Sequence, residues 1–365
     1  MLEWTRGQSI GEIDTPALIL DIAAAERNIR AMADRLIHGS VRLRPHVKTH
    51  KCPILAHKQM AAGAIGVTAA KLGEAEVMIR AGIPEVLVST PIVGRTKIER
   101  LVALSRHGMV LTVVDDASAA RAISDAAARA GQKIPTLVDV DVGQRRTGVL
   151  PGEPALALAR QVASMPGLVF VGLQGYEGHL QHVQSRDERE LRFRASMQRL
   201  TDTAALLRGA GLSVDIVSTG GTGTSTFALD ATGVTEIQPG SYVVMDDHYG
   251  TVQGVGFEQA LFVLTSVVSR TRTTDVIVDA GLKALSSDSG APRVRGVEGA
   301  RYSFAGDEHG RLELGDAGSD LRVGDKVLLV PSHCDTTIHL HDHFYVVEAD
   351  KLIEVWPIEA RGRVR

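Results

Sequence analysis

The run Val41-Arg-Leu-Arg-Pro-His-Val-Lys-Thr-His-Lys51 concentrates side chains that could carry out amine chemistry. In a strand, successive side chains alternate between two faces, so Arg44, His46 and Lys48 would share one face. Several cations crowded at a partly desolvated strand end would lower the pKa of Lys48 and favour the free amine that Schiff-base chemistry needs. A basic strand end that binds phosphate or faces water is the alternative, and the spacing alone leaves both open.

Two glycine-rich segments have the composition of a phosphate-binding loop. They are Ser218-Thr-Gly-Gly-Thr-Gly-Thr-Ser225 and Gln238-Pro-Gly-Ser-Tyr242, and each follows a predicted strand. Glycines let backbone N–H groups converge on an anion, and neighbouring hydroxyls add donors. Each segment alone also fits an ordinary turn, but two after successive strands favour a phosphate-bearing cofactor or substrate.

Two further polar runs, Asp139–Gly148 and Gln174–His182, also follow predicted strands. Polar groups gathered at one end of neighbouring strands are typical of a site, although surface loops are polar as well. Taken alone, either histidine of the second run fits a structural role better than a catalytic one.

The segment Pro331–His343 contains a spacing that suits a divalent metal. In an extended chain His333 and Asp335 would lie on one face, with Cys334 pointing away, and water or substrate oxygens would complete the ligand shell. A histidine-rich strand facing solvent is the alternative interpretation. That interpretation is sufficient for the later histidines of the segment.

The remaining pattern predicts the elements that position these residues. Short β-branched runs alternate with amphipathic, alanine-rich helices, which indicates parallel strands, and the count of eight is that of a closed (β/α)8 TIM-type barrel. An open, doubly wound α/β sheet is the alternative. The predicted strands are Val41–Lys48, Gly66–Ala70, Glu85–Ser89, Val110–Val114, Thr136–Asp141, Val169–Gly175, Asp215–Thr219 and Glu236–Pro239.

After about residue 255 the pattern changes to apolar runs separated by Gly/Asp turns, which predicts an antiparallel β domain. We therefore divide the chain into a barrel over residues 14–254 and a β-rich domain over residues 1–13 and 255–365 that carries the metal motif. Gln8–Asp21 also has a strand pattern, which leaves open that it joins the second domain.

Composition and charge argue against several classes of protein. The formal charge is −3 and the sequence pI about 6.5, which argues against nucleic acid or anionic membrane as partners. The N-terminal residues do not resemble a signal peptide, and two cysteines provide no disulfide framework. We expect a soluble, cytoplasmic protein.

Together these motifs resemble one enzyme family, and the resemblance covers nearly the whole chain. The chain resembles the fold-type III pyridoxal-phosphate (PLP) enzymes of the alanine racemase-like barrel group, in particular their D-threonine aldolase and D-serine dehydratase branch. The segments that carry the resemblance are Asp14–Asp21, Arg44–Lys51, Ala70–Glu76 with Ala81–Ile83, Asp139–Gly148, Gln174–His182, Thr219–Thr224, Gln238–Tyr242 and Pro331–Asp335.

The resemblance implies residues for the cofactor. Lys48 is the expected Schiff-base lysine; Lys51 competes for that role, but strand alternation and the family motif favour Lys48. At Gln238, alanine racemases carry an arginine that faces the pyridine nitrogen. The further cofactor contacts implied are Arg146 near the phenolic oxygen, Tyr176 near the ring, and Thr219, Gly221, Thr222, Gly240 and Ser241 around the phosphate.

The resemblance also implies a metal pair and a base. His333 and Asp335 match the metal ligands of the aldolases, whereas the dehydratases usually place a cysteine at the second position, so Asp335 favours an aldolase. Family aldolases often carry proline at the position of Thr336, a change that we interpret as one of loop stiffness. His182 is the residue expected to take the proton of the substrate hydroxyl, directly or through one water.

The predicted function is that of a lyase in D-amino acid metabolism. It is a PLP- and divalent-metal-dependent retro-aldol cleavage of D-3-hydroxy amino acids, such as D-threonine, to glycine and an aldehyde. Mn²⁺ is the expected metal, with Mg²⁺, Co²⁺ and Zn²⁺ as alternatives, and a homodimer is expected. The alternatives are a D-serine or 3-hydroxyaspartate dehydratase and a non-catalytic PLP-binding protein; a racemase is disfavoured.

Overall fold

The computed structural model describes residues 4–37, 39–315 and 320–365. The described residues form two compact units: the first lies within Met1–Arg30, Ser241–Thr251 and Gly256–Gly362, and the second within Ala31–Gly240, Val252–Val255 and Arg363–Arg365.

Strands and helices alternate in the first two-thirds of the chain. The strands are β1 Ala17–Asp21, β2 Arg42–Leu43, β3 Val67–Ala69, β4 Glu85–Val88, β5 Met109–Val114, β6 Ile134–Asp139, β7 Leu168–Gln174, β8 Ile216–Thr219, β9 Glu236–Ile237, β10 Leu261–Ser269, β11 Asp275–Val278, β12 Arg293–Arg295, β13 Arg301–Phe304, β14 Gly310–Glu313, β15 Lys326–Val330, β16 His343–Glu348 and β17 Lys351–Pro357. The α-helices are α1 Ile22–Leu36, α2 Pro53–Ala61, α3 Leu72–Arg80, α4 Arg95–Leu104, α5 Ala117–Arg129, α6 Glu153–Ser164, α7 Arg186–Gly209, α8 Ser225–Leu229, α9 Asp247–Gly250 and α10 Cys334–Ile338.

Eight parallel strands form the barrel, in the order β2-β9-β8-β7-β6-β5-β4-β3. The two ends of that order meet, because His46 and Thr68 form a parallel bridge between the end of β2 and β3. Backbone bonds from Val47 N to Thr68 O and from Thr68 N to Pro45 O, both 2.8 Å, complete this closure. The predicted barrel is confirmed, and each predicted barrel strand overlaps an observed one.

Apolar side chains of successive barrel strands form a cluster that helps to hold the barrel together. Leu87, Leu111, Val113 and Leu137 are almost fully buried and pack against one another across β4, β5 and β6. Burial of each such side chain contributes about 1.5–3 kcal/mol relative to leaving it exposed. The polar residues discussed below follow the carboxyl ends of these same strands.

The second unit contains a nine-stranded sheet in the order β13-β14-β11-β10-β1-β16-β17, with β15 pairing β10 and β12. Its strands pair antiparallel, as predicted, except that β1 runs parallel to β16. Ile19 on β1 packs against Phe262 and Val330 in the core of this sheet. β1, which lies in the segment Gln8–Asp21, therefore belongs to this mixed sheet.

No helix within the described ranges is both long enough and apolar enough to cross a membrane.

Candidate active site

Lys48 lies half-buried in a turn just beyond the end of the first barrel strand. Ladder bonding ends at Val47, whose carbonyl oxygen accepts from Lys51 N at 2.8 Å as the chain turns. The prediction that the strand continues to Lys48 is therefore wrong, and alternation places only Arg44 and His46 on a common face. The backbone N–H of Lys48 donates to Nδ1 of His46 at 3.3 Å, so the ring of His46 borders the turn.

Lys51, the competing lysine, is held by a buried ion pair. Its Nζ atom pairs with the carboxylate of Glu74, and both residues are buried. Glu74 also accepts from the backbone N–H groups of Ala70 at 2.8 Å and Lys71 at 3.1 Å. An ammonium group paired in this way cannot act as a free amine without leaving a buried carboxylate uncompensated, which is costly.

Arg44 does not crowd Lys48 with unbalanced positive charge, contrary to the sequence argument. Its guanidinium pairs with Glu236 at 2.9 Å and with Glu85 at 2.8 Å. Burial alone would lower the pKa of Arg44, but the two carboxylates outweigh it and raise that pKa. Gly66 makes the second pairing sterically feasible, because a Cβ atom there would lie 2.8 Å from Nη1 of Arg44.

A layer of buried polar side chains spans the carboxyl ends of several barrel strands. Nε2 of His46 lies 3.3 Å from Oγ of Ser89, and Nε2 of Gln174 donates to the Ser89 carbonyl oxygen at 3.1 Å and to Oδ1 of Asp139 at 2.9 Å. Gln238 joins the layer through Gln174, at 3.2 Å. Burial raises the pKa of Asp139 to about 6, although hydrogen bonds from Gln174 and Thr147 oppose the shift.

Arg146 and Tyr176, both predicted cofactor contacts, lie side by side. The guanidinium carbon of Arg146 is 5.6 Å from the centroid of the Tyr176 ring, within the range of a cation–π interaction. Both residues border a small cleft together with Asp139 and Gln174. The structure therefore brings these two predicted residues to the polar layer.

The glycine-rich loop after β8 is built around a buried carboxylate that the sequence analysis missed. Glu177 is 0% exposed. Its oxygens accept from Thr219 Oγ1 at 2.9 Å, Thr224 Oγ1 at 2.5 Å, Gln181 Nε2 at 3.1 Å and Gly220 N at 3.3 Å. These bonds fix the loop, and they occupy the hydroxyl that Thr219 was predicted to offer to a phosphate.

Two further predicted phosphate positions lie in the same loop. The N–H of Gly221 donates to Thr224 Oγ1 at 3.1 Å. A Cβ atom on Gly221 would lie 2.5 Å from Oε1 of Gln181, so no side chain fits there. Thr222 is buried beside it.

Gly240 packs closely against Thr49 and the backbone of His46. A Cβ atom on Gly240 would lie 2.7 Å from Oγ1 of Thr49 and 2.8 Å from the carbonyl oxygen of His46, so the backbone approaches closely. Thr49 is 0% exposed, and its Oγ1 has no hydrogen-bond partner among the described residues. A buried unsatisfied hydroxyl costs about 1–3 kcal/mol. A phosphate oxygen could accept the hydrogen bond that this hydroxyl lacks, so the donor chemistry of Thr49 is compatible with a phosphate group.

His182, the predicted base, lies half-buried in the turn after a short 3-10 helix, Gly178–Leu180. The neighbouring Gln181 anchors this turn to the glycine-rich loop, because its Oε1 accepts from Gly223 N at 2.9 Å. The position of His182 is thus fixed by the loop that Glu177 organises.

His333 and Asp335, the predicted metal pair, do not lie in an extended chain. His333 is the N-cap of α10, and Asp335 lies in the first turn of that helix, so the argument from strand alternation is wrong here. Cys334 is buried, and its backbone N–H donates to the buried Asp246 at 2.9 Å. Asp335 Oδ1 accepts from Ser241 Oγ at 3.4 Å, which joins a predicted phosphate residue to a predicted metal ligand.

A second carboxylate, missed by the sequence analysis, orients His333. Asp288 Oδ2 lies 2.6 Å from Nδ1 of His333, and its Oδ1 accepts from Ser286 Oγ at 2.6 Å and from Thr336 Oγ1 at 2.9 Å. Burial would raise the pKa of Asp288, but these three hydrogen bonds outweigh it and lower that pKa.

The chemistry of these donors fits a divalent metal. A histidine that donates one ring N–H to a carboxylate is the usual arrangement behind a metal ligand, with Nε2 left to bind the ion. Within residues 4–37, 39–315 and 320–365, no group of three or more His, Cys, Asp or Glu side chains could hold a metal. The metal pair of His333 and Asp335 therefore stays a prediction.

Comparison with known proteins gives the family. Residues 20–248 match the alanine racemase N-terminal domain, and residues 260–347 match the “Putative serine dehydratase domain”. The chain is 41% identical over 361 residues to a D-threonine aldolase of an Arthrobacter species, covering 98% of this chain and 95% of that protein. It is 39% identical over 367 residues to the 3-hydroxy-D-aspartate aldolase of Paracoccus denitrificans (strain Pd 1222), with coverages of 98% and 94%.

A solved structure extends the likeness to the fold. The crystal structure of D-threonine aldolase from Filomicrobium marinum superposes with a TM-score of 0.97 at 44% identity, covering 99% of this chain and 100% of that one. The chain therefore belongs to the PLP-dependent alanine racemase-like family, and within it to the lyase group that includes D-threonine aldolase.

Proposed function

We propose that this protein cleaves D-3-hydroxy amino acids to glycine and an aldehyde, with PLP on Lys48 and a divalent metal at His333 and Asp335. The observation that carries the proposal is that the two lysines have different contacts. The Nζ atom of Lys51 is paired with the buried carboxylate of Glu74, whereas the backbone of Lys48 contacts His46 of the polar layer. The full-length similarity to two aldolases of D-3-hydroxy amino acids supports the same reaction.

Each residue of the candidate site would have its own role in this reaction. Lys48 holds the cofactor and returns a proton to the α-carbon of the product. Arg146 and Tyr176 would contact the cofactor ring, and Gly240 is proposed to contact its phosphate. PLP supplies the electron sink that makes the α-carbon able to carry negative charge. His182 takes the proton of the β-hydroxyl as the Cα–Cβ bond breaks, the role of a general base.

The remaining phosphate contacts that we propose come from the two glycine-rich segments. They are Thr222 and Ser241. Thr219 and Gly221 would contribute by the hydrogen bonds that fix the conformation of the glycine-rich loop.

The metal site is proposed to hold Mn²⁺, with Mg²⁺, Co²⁺ or Zn²⁺ as substitutes. His333 would contribute Nε2 and Asp335 a carboxylate oxygen, a donor set that suits these ions. A divalent ion supplies Lewis acidity towards a substrate oxygen. We further propose that the protein is a homodimer, as the resemblance to its family implies. We propose a location in the cytoplasm on the basis of its composition and its near-neutral charge.

A D-serine or 3-hydroxyaspartate dehydratase is the second candidate, favoured by the match of residues 260–347 to the serine dehydratase domain. It would use the same lysine, but would abstract the α-proton and expel the β-hydroxyl. The family resemblance implies a cysteine at the position of Asp335 in most dehydratases, so we place the aldolase first.

Product analysis separates the two reactions. We would incubate the protein with PLP, Mn²⁺ and D-threonine, and separately with D-3-hydroxyaspartate and D-phenylserine. The proposal expects glycine and the matching aldehyde, whereas 2-oxobutanoate from D-threonine would establish the dehydratase. L-threonine is the stereochemical control, and Lys48→Ala should form neither product.

A further inference from the structure

Arg189, near the start of α7, is a buried cation that is held by backbone carbonyl groups. It is 1% exposed. Its Nε donates to the carbonyl oxygen of Gly223 at 2.8 Å, and its Nη1 donates to those of Val183 and, at 3.2 Å, of Gln184. Its Nη2 donates to the carbonyl oxygen of Gln253. Four of the five N–H donors of a guanidinium group are therefore bound to carbonyl oxygens.

These carbonyl groups include members of two segments of the candidate site. The two residues that directly follow His182, the proposed base, supply two of them. Gly223, which supplies a third, lies in the glycine-rich loop after β8. The two segments are far apart along the chain, so the covalent backbone does not fix their relative position. Arg189 bridges them.

The turn and the loop also contact each other directly. A Cβ atom on Gly223 would collide with the carbonyl oxygen of Gln181, so the two backbones approach closely. The N–H of Gly223 donates to Oε1 of Gln181 at 2.9 Å, while its carbonyl oxygen accepts from Arg189. Both backbone polar groups of Gly223 are thus held by the turn of His182 or by α7, and the loop cannot move alone without breaking these bonds.

The guanidinium of Arg189 also packs on the helix that follows the loop. Its Cζ atom lies 5.5 Å from the ring centroid of Phe227 in α8. Arg186 lies over the same ring at 5.6 Å, but it is exposed. Arg186 shares the helix, the charge and the ring contact of Arg189, which makes it a matched control.

The arrangement requires a guanidinium group and not merely a positive charge. The planar fork of an arginine directs its donors in several fixed directions, here towards the loop, the turn and Gln253. A lysine ammonium is a compact point charge on a flexible stem. It can replace the charge of Arg189, but it cannot bridge the same set of carbonyl groups.

We propose that Arg189 is a positioning residue that couples the turn of His182 to the glycine-rich loop, so that the base keeps a fixed place relative to the loop. The inference rests on the proposed function only in taking His182 as the base. The coupling itself belongs to the residues of the chain, and it can be measured without cofactor or substrate.

Hydrogen–deuterium exchange of the full-length protein, prepared without PLP, measures this coupling. In Arg189→Lys and Arg189→Met, the amides of residues 180–184 and 219–224 should both exchange about tenfold faster, because local opening of either segment no longer breaks bonds to the guanidinium. The amides of β5 should keep the wild-type rate, which separates a local coupling from a general loss of stability. Arg186→Met should leave both segments unchanged.

Kinetics test whether the coupling acts through the base. Arg189→Lys should lower kcat for D-threonine cleavage about tenfold in the otherwise wild-type protein. In the His182→Ala protein the same change should lower kcat by less than about twofold, because the residue that it positions is absent. A merely structural role would lower kcat equally in both backgrounds.

Several outcomes would contradict the coupling. Unchanged exchange in both Arg189 variants, an equal increase in Arg186→Met, or faster exchange throughout the barrel would overturn the inference. Equal effects of Arg189→Lys on kcat in the two backgrounds would overturn it as well. A wild-type protein that does not cleave D-threonine would overturn the proposed function, and the exchange measurements would still decide whether Arg189 couples the two segments.

Discussion

The Nδ1 atom of His333 lies 2.6 Å from Oδ2 of Asp288, and this contact determines which ring nitrogen can face a metal ion. Asp288 is itself held by hydroxyls of Ser286 and Thr336. Thr336, interpreted from the sequence as a change of loop stiffness, therefore has a defined polar contact. The three residues form a support for one proposed metal ligand.

Removal of that support should weaken metal binding. We expect Asp288→Asn to lower the affinity for Mn²⁺ by about 10–100-fold, because such supporting carboxylates orient the ligand and raise its basicity. Thr336→Val should give a smaller loss in the same direction. Electron paramagnetic resonance of free Mn²⁺ measures both, and Asp307→Asn, at an exposed aspartate, is the control. Unchanged affinity in Asp288→Asn would show that His333 does not bind the metal.

Substitution of Lys48 should affect the attachment of the cofactor, whereas substitution of Lys51 should affect the stability of the fold. Lys48→Ala is expected to abolish the visible absorbance of lysine-bound PLP while leaving the fold intact. Lys51→Ala should keep that absorbance but reduce the free energy of unfolding by about 3–5 kcal/mol, because it leaves Glu74 buried and unpaired. Absorbance spectra and urea unfolding of both variants provide the test. Loss of the absorbance in Lys51→Ala alone would assign the Schiff base to Lys51.

Asp139 should make stability depend on pH. Burial raises its folded-state pKa from 3.8 to about 6, so folding disfavours the ionised form. The stability that the protonated carboxyl provides is complete below about pH 4 and is lost as the pH rises through 6, by about 3 kcal/mol at 1.36 kcal/mol per unit. Urea unfolding from pH 4 to 7, compared with Asp139→Asn, measures this loss. Parallel curves for the two proteins would contradict it.

Substitution of His182 should lower the rate of substrate cleavage without changing how much PLP and metal the protein binds. His182→Ala is expected to lower the rate of D-threonine cleavage by about 10²–10⁴-fold, the usual effect of losing a general base. PLP and metal contents should stay those of the wild type. His179→Ala, at an exposed histidine of the same segment, is the matched control. If His182→Ala retained full activity, another group would have to take the hydroxyl proton.

Much of the fold follows from the sequence because its signals are local. The β-branched runs and the helices between them predict the eight barrel strands, and polar runs that begin at Asp139 and Gln174 do start where β6 and β7 end. These features need no knowledge of distant residues. The parallel pairing of β1 with β16 does, since about 325 residues separate the two strands.

The supporting residues of the candidate site could not be predicted for the same reason. Asp288 is 45 residues from His333, and Glu177 is 42 residues from Thr219, so neither contact has a spacing signal. The motif Tyr-Glu-Gly-His around Glu177 is visibly polar in the sequence, but nothing in it shows that its carboxylate anchors a glycine-rich loop about 40 residues later. The sequence predicts a strand up to Lys48 because the alternation of side chains does not show at which residue the hydrogen-bonded ladder ends.

The most direct test of the central claim is the fate of D-threonine in deuterium oxide with the PLP- and Mn²⁺-loaded protein. Mass spectrometry and NMR would identify the products. Retro-aldol cleavage predicts one acetaldehyde for each glycine, and that glycine carries one deuterium at Cα, where solvent supplies the new proton. Formation of 2-oxobutanoate and ammonia, or recovery of threonine exchanged at Cα without cleavage, would contradict the account.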